Sequence, residues 1–257
     1  MANPNRTVYD GPPLSGPGLI WSNSKVTAID LLSPELFEKW YEEKHIPDVL
    51  GTAPEDHGVV ASWRYRCLDP TRDAPYLALY SVPDLSFIQT DEFKSIPQKS
   101  DMLPGGGPVH NLANFDTRFY RRVQVYEKPG AARARAPLVI SVCLEPGDGL
   151  AEEVDRWYRE EHLEQLRRDA PGWRRSTRFE LVYKVESKSV PPEKRVKAPR
   201  WLALHEFEES TLEDGPMMVK PLIPQTDWTK KMIASMIQLD AAKFKLIKGF
   251  GNTEAHL

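Results

Sequence analysis

Long apolar runs, paired cysteines and the short signatures of familiar catalysis are all missing from this chain. Nowhere in its 257 residues do about 18 apolar residues follow one another. The N-terminal MANPNRTVYDGPPLSGPG also lacks the apolar core of a signal peptide. The expectation is a soluble, cytoplasmic protein. The only cysteines, Cys67 and Cys143, sit in apolar, strand-like runs, where a thiol behaves as a small hydrophobe; no disulfide framework or zinc site can be built from them. A net charge of -3 supplies no basic field for nucleic acid or an anionic membrane, so both are excluded as partners. No H-E-x-x-H, G-x-S-x-G or dinucleotide-binding glycine fingerprint is present. The run Pro104 to Pro108 is glycine-rich, yet it lacks the Lys-Ser or Lys-Thr and helix of a phosphate-binding loop. The histidines are too scattered to argue a metal site, and no cofactor is expected, although a single axial histidine would leave haem without a spacing signature.

What the chain does have is a repeat. FEKWYEEKHIPD at 37–48 returns 117 residues later as VDRWYREEHLEQ at 154–165, matching Trp40 with Trp157, Tyr41 with Tyr158, Glu43 with Glu160 and His45 with His162. YLALYSV at 76–82 returns as WLALHEF at 201–207, a spacing of 125, and Ser62 matches Ser176 at 114. Three anchors at nearly one spacing mean two copies of one unit, with loops of different length between them.

Periodicity supplies the elements of each copy. In the first, alternation predicts a strand over 19–29. Ser33-Pro34-Glu35 then opens a helix that Pro47 ends, followed by strands over 59–68 and 76–82, a short helix over 84–95 and a strand over 117–128. The second copy reads as a strand over 137–145, a helix over 149–168, strands over 175–185 and 201–207, a helix over 229–237 and a strand over 241–250. The order is βαββαβ twice, an α+β chain of two tandem ferredoxin-like repeats with antiparallel sheets. The divisions are an N-terminal tail at 1–17, a first repeat at 18–129, a linker at 130–136 and a second repeat at 137–257. A basic excursion at 187–200 and a long, flexible loop at 98–116 fall outside the repeat; the loop reads as a lid or binding loop.

The pattern F-x-x-W-Y-x-x-x-H-I-P-D, followed by the Trp63-Arg64-Tyr65 strand and the Y-L-A-L-Y strand, resembles the EthD-like branch of the dimeric α/β-barrel superfamily. It is most similar to the duplicated fungal members, over roughly residues 18–250. That resemblance implies two four-stranded sheets packed face to face as a barrel. Relatives usually build it across a dimer, whereas a duplicated chain can do so as a monomer or still form a homodimer. It also implies a menu: cofactor-free monooxygenases, polyketide cyclases, decarboxylases and lactone isomerases, with haem-binding and stress proteins among the relatives. The leading expectation is a cofactor-independent lyase, cyclase, decarboxylase or isomerase of secondary metabolism. It would act on a small phenolic or polyketide-like substrate by histidine acid/base catalysis in a barrel cavity. The alternatives are a non-catalytic binding or stress-response barrel, and a cofactor-free or haem-dependent oxygenase.

Candidate residues follow from position. His45 and His162 sit on the buried side of their helices near the C-terminal end and suit proton transfer near neutrality, or else they only cap those helices. His205 and its counterpart Tyr80 share a face of a central strand that turns either into the barrel or toward the helices; with Tyr65 they are candidates for moving a proton or holding an oxyanion. Trp21, Trp40, Trp63 and Phe179 offer flat walls for an aromatic ligand, though such stripes are more often plain core. Asn23 and Lys25 are polar on a central strand. Arg64, which matches Arg178, suits a carboxylate, and His110 lies on the 98–116 loop.

Overall fold

A computed structural model describes residues 9, 11–52, 58–185, 197–208, 215 and 222–257. Most of the basic excursion expected at 187–200, and residues 1–8 and 10 of the expected tail, lie outside the described residues. The strands β1 (Gly18–Val26), β2 (Ala61–Cys67), β3 (Tyr76–Val82), β4 (Ala113–Glu127), β5 (Leu138–Pro146), β6 (Trp173–Val185), β7 (Trp201–Phe207) and β8 (Met236–Gly251) form one closed barrel. Around it run the order β1-β3-β2-β8-β5-β7-β6-β4, with every pairing antiparallel. Each repeat contributes four adjacent strands in the same relative order, 4-1-3-2, as the duplicated ferredoxin-like pattern predicts.

Closure depends on the two longest strands. β4 pairs with β1 through residues 113–121 and with β6 through 117–127; β8 pairs with β5 through 236–245 and with β2 through 244–251. Breaks in register at Phe119/Tyr120, Arg122/Gln124 and Arg64/Tyr65 add the local bend that carries a strand from one sheet to the next. The last strand starts at Met236, five residues before the expected 241, because pairing with β5 extends it.

The barrel is filled. Trp21, Trp63, Tyr65, Tyr120, Phe179 and Phe244 pack along its interior with aliphatic neighbours from both repeats. Register shows how the copies diverged to fit there. Trp21 lies opposite Leu79 as Ser141 lies opposite Leu204, and Trp63 matches Thr177 in the same way. A large residue in one repeat thus answers a small one in the other, and the Trp21 indole N–H donates to Ser141 Oγ at 3.1 Å.

Helices cover the outside. In the first repeat, Ser33 caps α1 (Pro34–Trp40) by accepting from the Leu36 N–H. The helix passes through a π-helical turn, Tyr41–His45, into α2 (Ile46–Leu50). Pro47 therefore does not end the helix as its sequence position suggested; the π-turn has already shifted the bonding register, and the missing N–H interrupts a single bond. The helix expected over 84–95 is two pieces, a 3-10 turn at Leu85–Gln89 and α3 (Asp91–Ser95), split where extended Thr90 caps Phe93 N. The second repeat has α4 (Ala151–Trp157), a π-turn at Tyr158–His162, α5 (Leu163–Asp169) and α6 (Asp227–Ala234). Because β3 lies between barrel interior and helices, all seven of its residues are buried. The 98–116 segment is folded down: Leu103, Val109 and Leu112 are buried, and two short 3-10 turns, Pro104–Gly106 and Val109–Asn111, shape it. Among the described residues no helix is long and apolar enough to cross a membrane.

One charged group inside the barrel stands out. Glu206, 2% exposed, accepts from Arg135 Nη1 at 2.6 Å and from the Ala136 N–H at 3.0 Å, with Arg175 Nε 3.8 Å away. Both guanidiniums are only 1% exposed; Arg175 also has Glu127 at 3.2 Å, whereas Glu206 is the carboxylate that answers Arg135. Glu206→Ala is expected to lower unfolding free energy by about 3–5 kcal/mol, since it strands the buried Arg135 cation. Lys25→Ala breaks only the exposed pair with Asp73 and is expected to cost less than about 1 kcal/mol. Urea unfolding of the two variants checks the contrast.

Candidate functional site

The repeated W-Y-x-x-x-H motif acquires its physical meaning in the π-turns. Residues five apart are not neighbours on an α-helix, but a π-turn bonds each N–H to the carbonyl five residues back and brings them together. The Ile46 N–H bonds Tyr41 O, and the Leu163 N–H bonds Tyr158 O. Trp40 consequently stacks on His45 with ring centroids 5.0 Å apart, and Trp157 stacks on His162 at 4.3 Å. In each motif the tyrosine meets the same imidazole edge-on, at 5.1 and 5.2 Å.

Each π-turn borders a cavity between the helices and the outer face of the barrel. The second-repeat cavity, of about 170 Å³, is walled by apolar groups including Ile140, Val142, Leu166, Phe207 and Met236. Two imidazoles face it, His162 and His205, with centroids 6.0 Å apart and planes at 82°. Ser176, on the neighbouring strand β6, accepts the Trp173 indole N–H at 2.9 Å and lies 2.7 Å from His205 Nδ1. An indole can only donate, so Ser176 keeps its own hydrogen and one lone pair for Nδ1; when the serine donates, the His205 N–H lies on Nε2. His162 Nδ1 is buried without a hydrogen-bond partner among the described residues. Behind the rings, Arg178 lies 4.2 Å from the Tyr158 ring centroid and bonds Asp155 at 2.8 Å and Gln124 at 2.7 Å. α6 closes the other side: Thr226 donates to Glu161 at 2.6 Å, and the Trp157 indole donates to Thr229 at 3.2 Å.

The first-repeat cavity, of about 150 Å³, is lined by Trp40, Tyr41, His45 and Tyr80, and the folded 98–116 segment supplies Val109 and His110. His110 bonds Gln98 at 3.0 Å and packs edge-on against Phe115. His45, His110, Trp40 and Tyr80 are thus brought together here, and His162 and His205 in the other cavity. Both cavities lie between the sheet and its helices rather than in the barrel interior, so the face that carries Tyr80 and His205 is the helix-facing one. Tyr65, Trp21, Trp63 and Phe179 are packed in that interior core, away from both sites. Asn23 holds the Ala74 and Tyr76 carbonyls, at 3.0 and 2.7 Å, and Lys25 pairs with Asp73; both border a cleft at the barrel mouth, with Arg118 and Asp240. Arg64 is neutralised by Glu42 at 2.6 Å and lies over the Tyr41 ring. Ser176 and Thr229 escaped the sequence reading as site residues, since their roles come from neighbours on other elements, while Arg178, read with Arg64 as suited to a carboxylate, is here occupied by Asp155 and Gln124. The π-turn did leave a trace in the Trp-x4-His spacing. Among the described residues no group of three His, Cys, Asp or Glu stands close enough to hold a metal.

Burial sets the charge state. It pushes His162 well below the usual histidine value, helped by His205 and Arg178, and it lowers His205 to about 4, again with Arg178 adding to the effect. Tyr158 is pushed up to about 12 by burial, against the pull of Arg178. Both imidazoles are therefore neutral at pH 7. Above the ordinary histidine value of about 6.5 this costs nothing. As pH falls toward 4 the unfolded chain takes up protons that folded His205 refuses, so stability is lost over that window. A drop from 6.5 to about 4 corresponds to roughly 3 kcal/mol. Urea midpoints between pH 7 and 4 are expected to fall less steeply for His205→Gln than for wild type by about that amount.

No protein-family profile matches the chain. It is 27% identical over 206 residues to core atranone cluster (CAC) protein 1 of Stachybotrys chlorohalonatus, covering 75% of this chain and 82% of that protein. Among solved structures, it superposes on an anthrone oxidase-like protein with a TM-score of 0.53 at 12% identity, across 91% of this chain and 93% of the other. A candidate monooxygenase from Lactobacillus acidophilus gives a TM-score of 0.51 at 10% identity, with 92% and 96% covered. These likenesses are those of a shared barrel fold.

Proposed function

We propose that the chain is an enzyme of secondary metabolism that removes a proton from a small, carbonyl-bearing aromatic or polyketide-like molecule, in the cavity of the second repeat. The observation that carries this reading is the pair of buried imidazoles facing one largely apolar cavity, one of them held at Nδ1 by Ser176. His205, presenting its Nε2–H, holds the substrate carbonyl oxygen. His162 accepts the proton: the C–H bond next to the carbonyl breaks, its electron pair moves onto the oxygen, and the proton ends on the ring. Burial makes a lone imidazolium costly, but the enolate formed beside it is its counter-ion, so the ion pair is stabilised where the single charge is not. Apolar walls and the stacked Trp157 suit a flat ring.

Such an enolate is common to isomerisation and cyclisation, and also to direct reaction with dioxygen. The names of two structural neighbours, an anthrone oxidase-like protein and a candidate monooxygenase, lend support to the oxidative branch, and the relative named as a core atranone cluster protein supports the reading as secondary metabolism. Both branches share the first step.

The test is exchange of the acidic C–H of anthrone and of a cyclic 1,3-diketone in D2O under argon, followed by NMR. Wild type is expected to exceed buffer by about 10²–10⁴-fold, the usual reach of general acid–base catalysis. His162→Gln and His205→Gln are each expected to lose most of that. Oxygen uptake on admitting air marks the oxidative branch, and its absence marks the isomerising ones. Exchange no faster than buffer with either compound would leave the non-catalytic binding barrel as the better reading.

A further inference from the structure

The register of the two repeats allows their cavities to be compared wall by wall. Ile20 lies opposite Tyr80 as Ile140 lies opposite His205, so Ser22 corresponds to Val142. Ser22 in turn lies opposite Thr117 as Val142 lies opposite Ala241. All four line their respective cavities. In the first cavity the two hydroxyls are bonded to one another at 3.0 Å. The second has two aliphatic side chains in their place.

The difference extends along a line. Tyr41 has its hydroxyl within reach of both Ser22 and Tyr80, and Tyr80 lies beside Ser62. Four hydroxyls, Thr117, Ser22, Tyr41 and Tyr80, therefore run together on one side of the first cavity, with Ser62 behind Tyr80. Their counterparts are Ala241, Val142, Tyr158, His205 and Ser176. Carbon replaces oxygen twice, and an imidazole replaces a phenol once. Tyr80, 3% exposed, has a buried hydroxyl with no well-formed hydrogen bond among the described residues, and Ser62 Oγ is in the same state. With Tyr41 and Ser62 near it but neither well aligned, the Tyr80 hydroxyl can turn its hydrogen to a ligand without giving up a well-formed bond. The line carries no net charge, and burial holds both phenols protonated, so they are donors at neutral pH. Trp40, Phe93, Phe115 and Phe119 add flat walls.

We propose that the first cavity is a second binding site, chemically distinct from the His162–His205 site, which takes a neutral hydroxyaryl ketone through Tyr80 and the Ser22–Thr117 pair. Tyr80 donates to the ketone oxygen. The Ser22–Thr117 pair uses one of its two hydrogens internally, leaving one donor and open lone pairs for the ligand's phenolic hydroxyl. The Tyr80-for-His205 exchange leaves no imidazole at the position of His205, and the cavity's other imidazole, His110, is bonded to Gln98 on the 98–116 segment, so the His162–His205 arrangement is not repeated here. The duplicated chain then holds two different molecules, one in each repeat.

Titration calorimetry with 1-hydroxy-2-acetonaphthone, a two-ring hydroxyaryl ketone, tests this on the full chain. The double variant Ser22→Val, Thr117→Ala installs the pair that the second repeat already tolerates. It is expected to weaken binding of one equivalent at least tenfold, two hydrogen bonds being lost. Tyr80→Phe keeps the shape, removes one hydroxyl and is expected to weaken the same equivalent about three- to tenfold. Should the double variant fail to fold by circular dichroism, Tyr80→Phe alone carries the test. His162→Gln leaves this equivalent in place if the sites are separate. No heat of binding in wild type overturns the proposal, as does binding that Tyr80→Phe leaves unchanged or that His162→Gln abolishes.

Discussion

β4 and β8 each belong to two sheets, and the rest of the molecule depends on that double membership. Fifteen and sixteen residues long, they pair first within their own repeat and then across to the other. Closing the ring this way pairs both edges of each of the eight described strands. It also decides where function can be. Eight strands make a tube just wide enough to be filled by side chains, and here tryptophans, tyrosines and leucines fill it. Space for a ligand is left between the ring and its helices.

That constraint explains the division of work among residue types that look alike in the sequence. Along β3 and β7 successive side chains alternate between a packed interior and a helix-facing side, and both are apolar. Leu79 and Leu204 point in; Tyr80 and His205 point out, to the two cavities. The π-turns do the corresponding job from the helix side, stacking tryptophan on histidine at a distance that an α-helix would not allow. A π-turn costs backbone stability and is found mostly at functional places. Finding it in both repeats, at matched residues, makes it part of the unit that was duplicated.

Duplication then permitted asymmetry. In a symmetric dimer a single sequence must serve both sides of the barrel axis, and two copies of Trp21 would compete for the space that Trp21 and Ser141 share. One continuous chain is free of that restriction. The same freedom operated in the cavities, where Ser22, Thr117 and Tyr80 in one answer Val142, Ala241 and His205 in the other. Arg64 and Arg178 remained as matched cations behind Tyr41 and Tyr158, so the support was kept while the walls facing the ligand changed.

The repeat, the order of elements, and the prominence of His45, His162, Tyr80 and His205 were legible in the chain by itself. Each rests on local information: period-2 and helical patterns, a capping serine with proline, and a rare motif recurring at constant spacing. Tertiary structure decided what depends on distant neighbours. A strand covered on both faces carries no signal of which face is inside, so Trp21, Trp63, Tyr65 and Phe179 could be read as ligand walls until the closed ring showed them as its core. Pro47 could be read as a stop until the π-turn showed why the helix continues. The tautomer of His205 depends on Ser176, twenty-nine residues away, and on Trp173 behind it. Composition and periodicity determine which residues are buried; only the closure of the barrel determines what they are buried against.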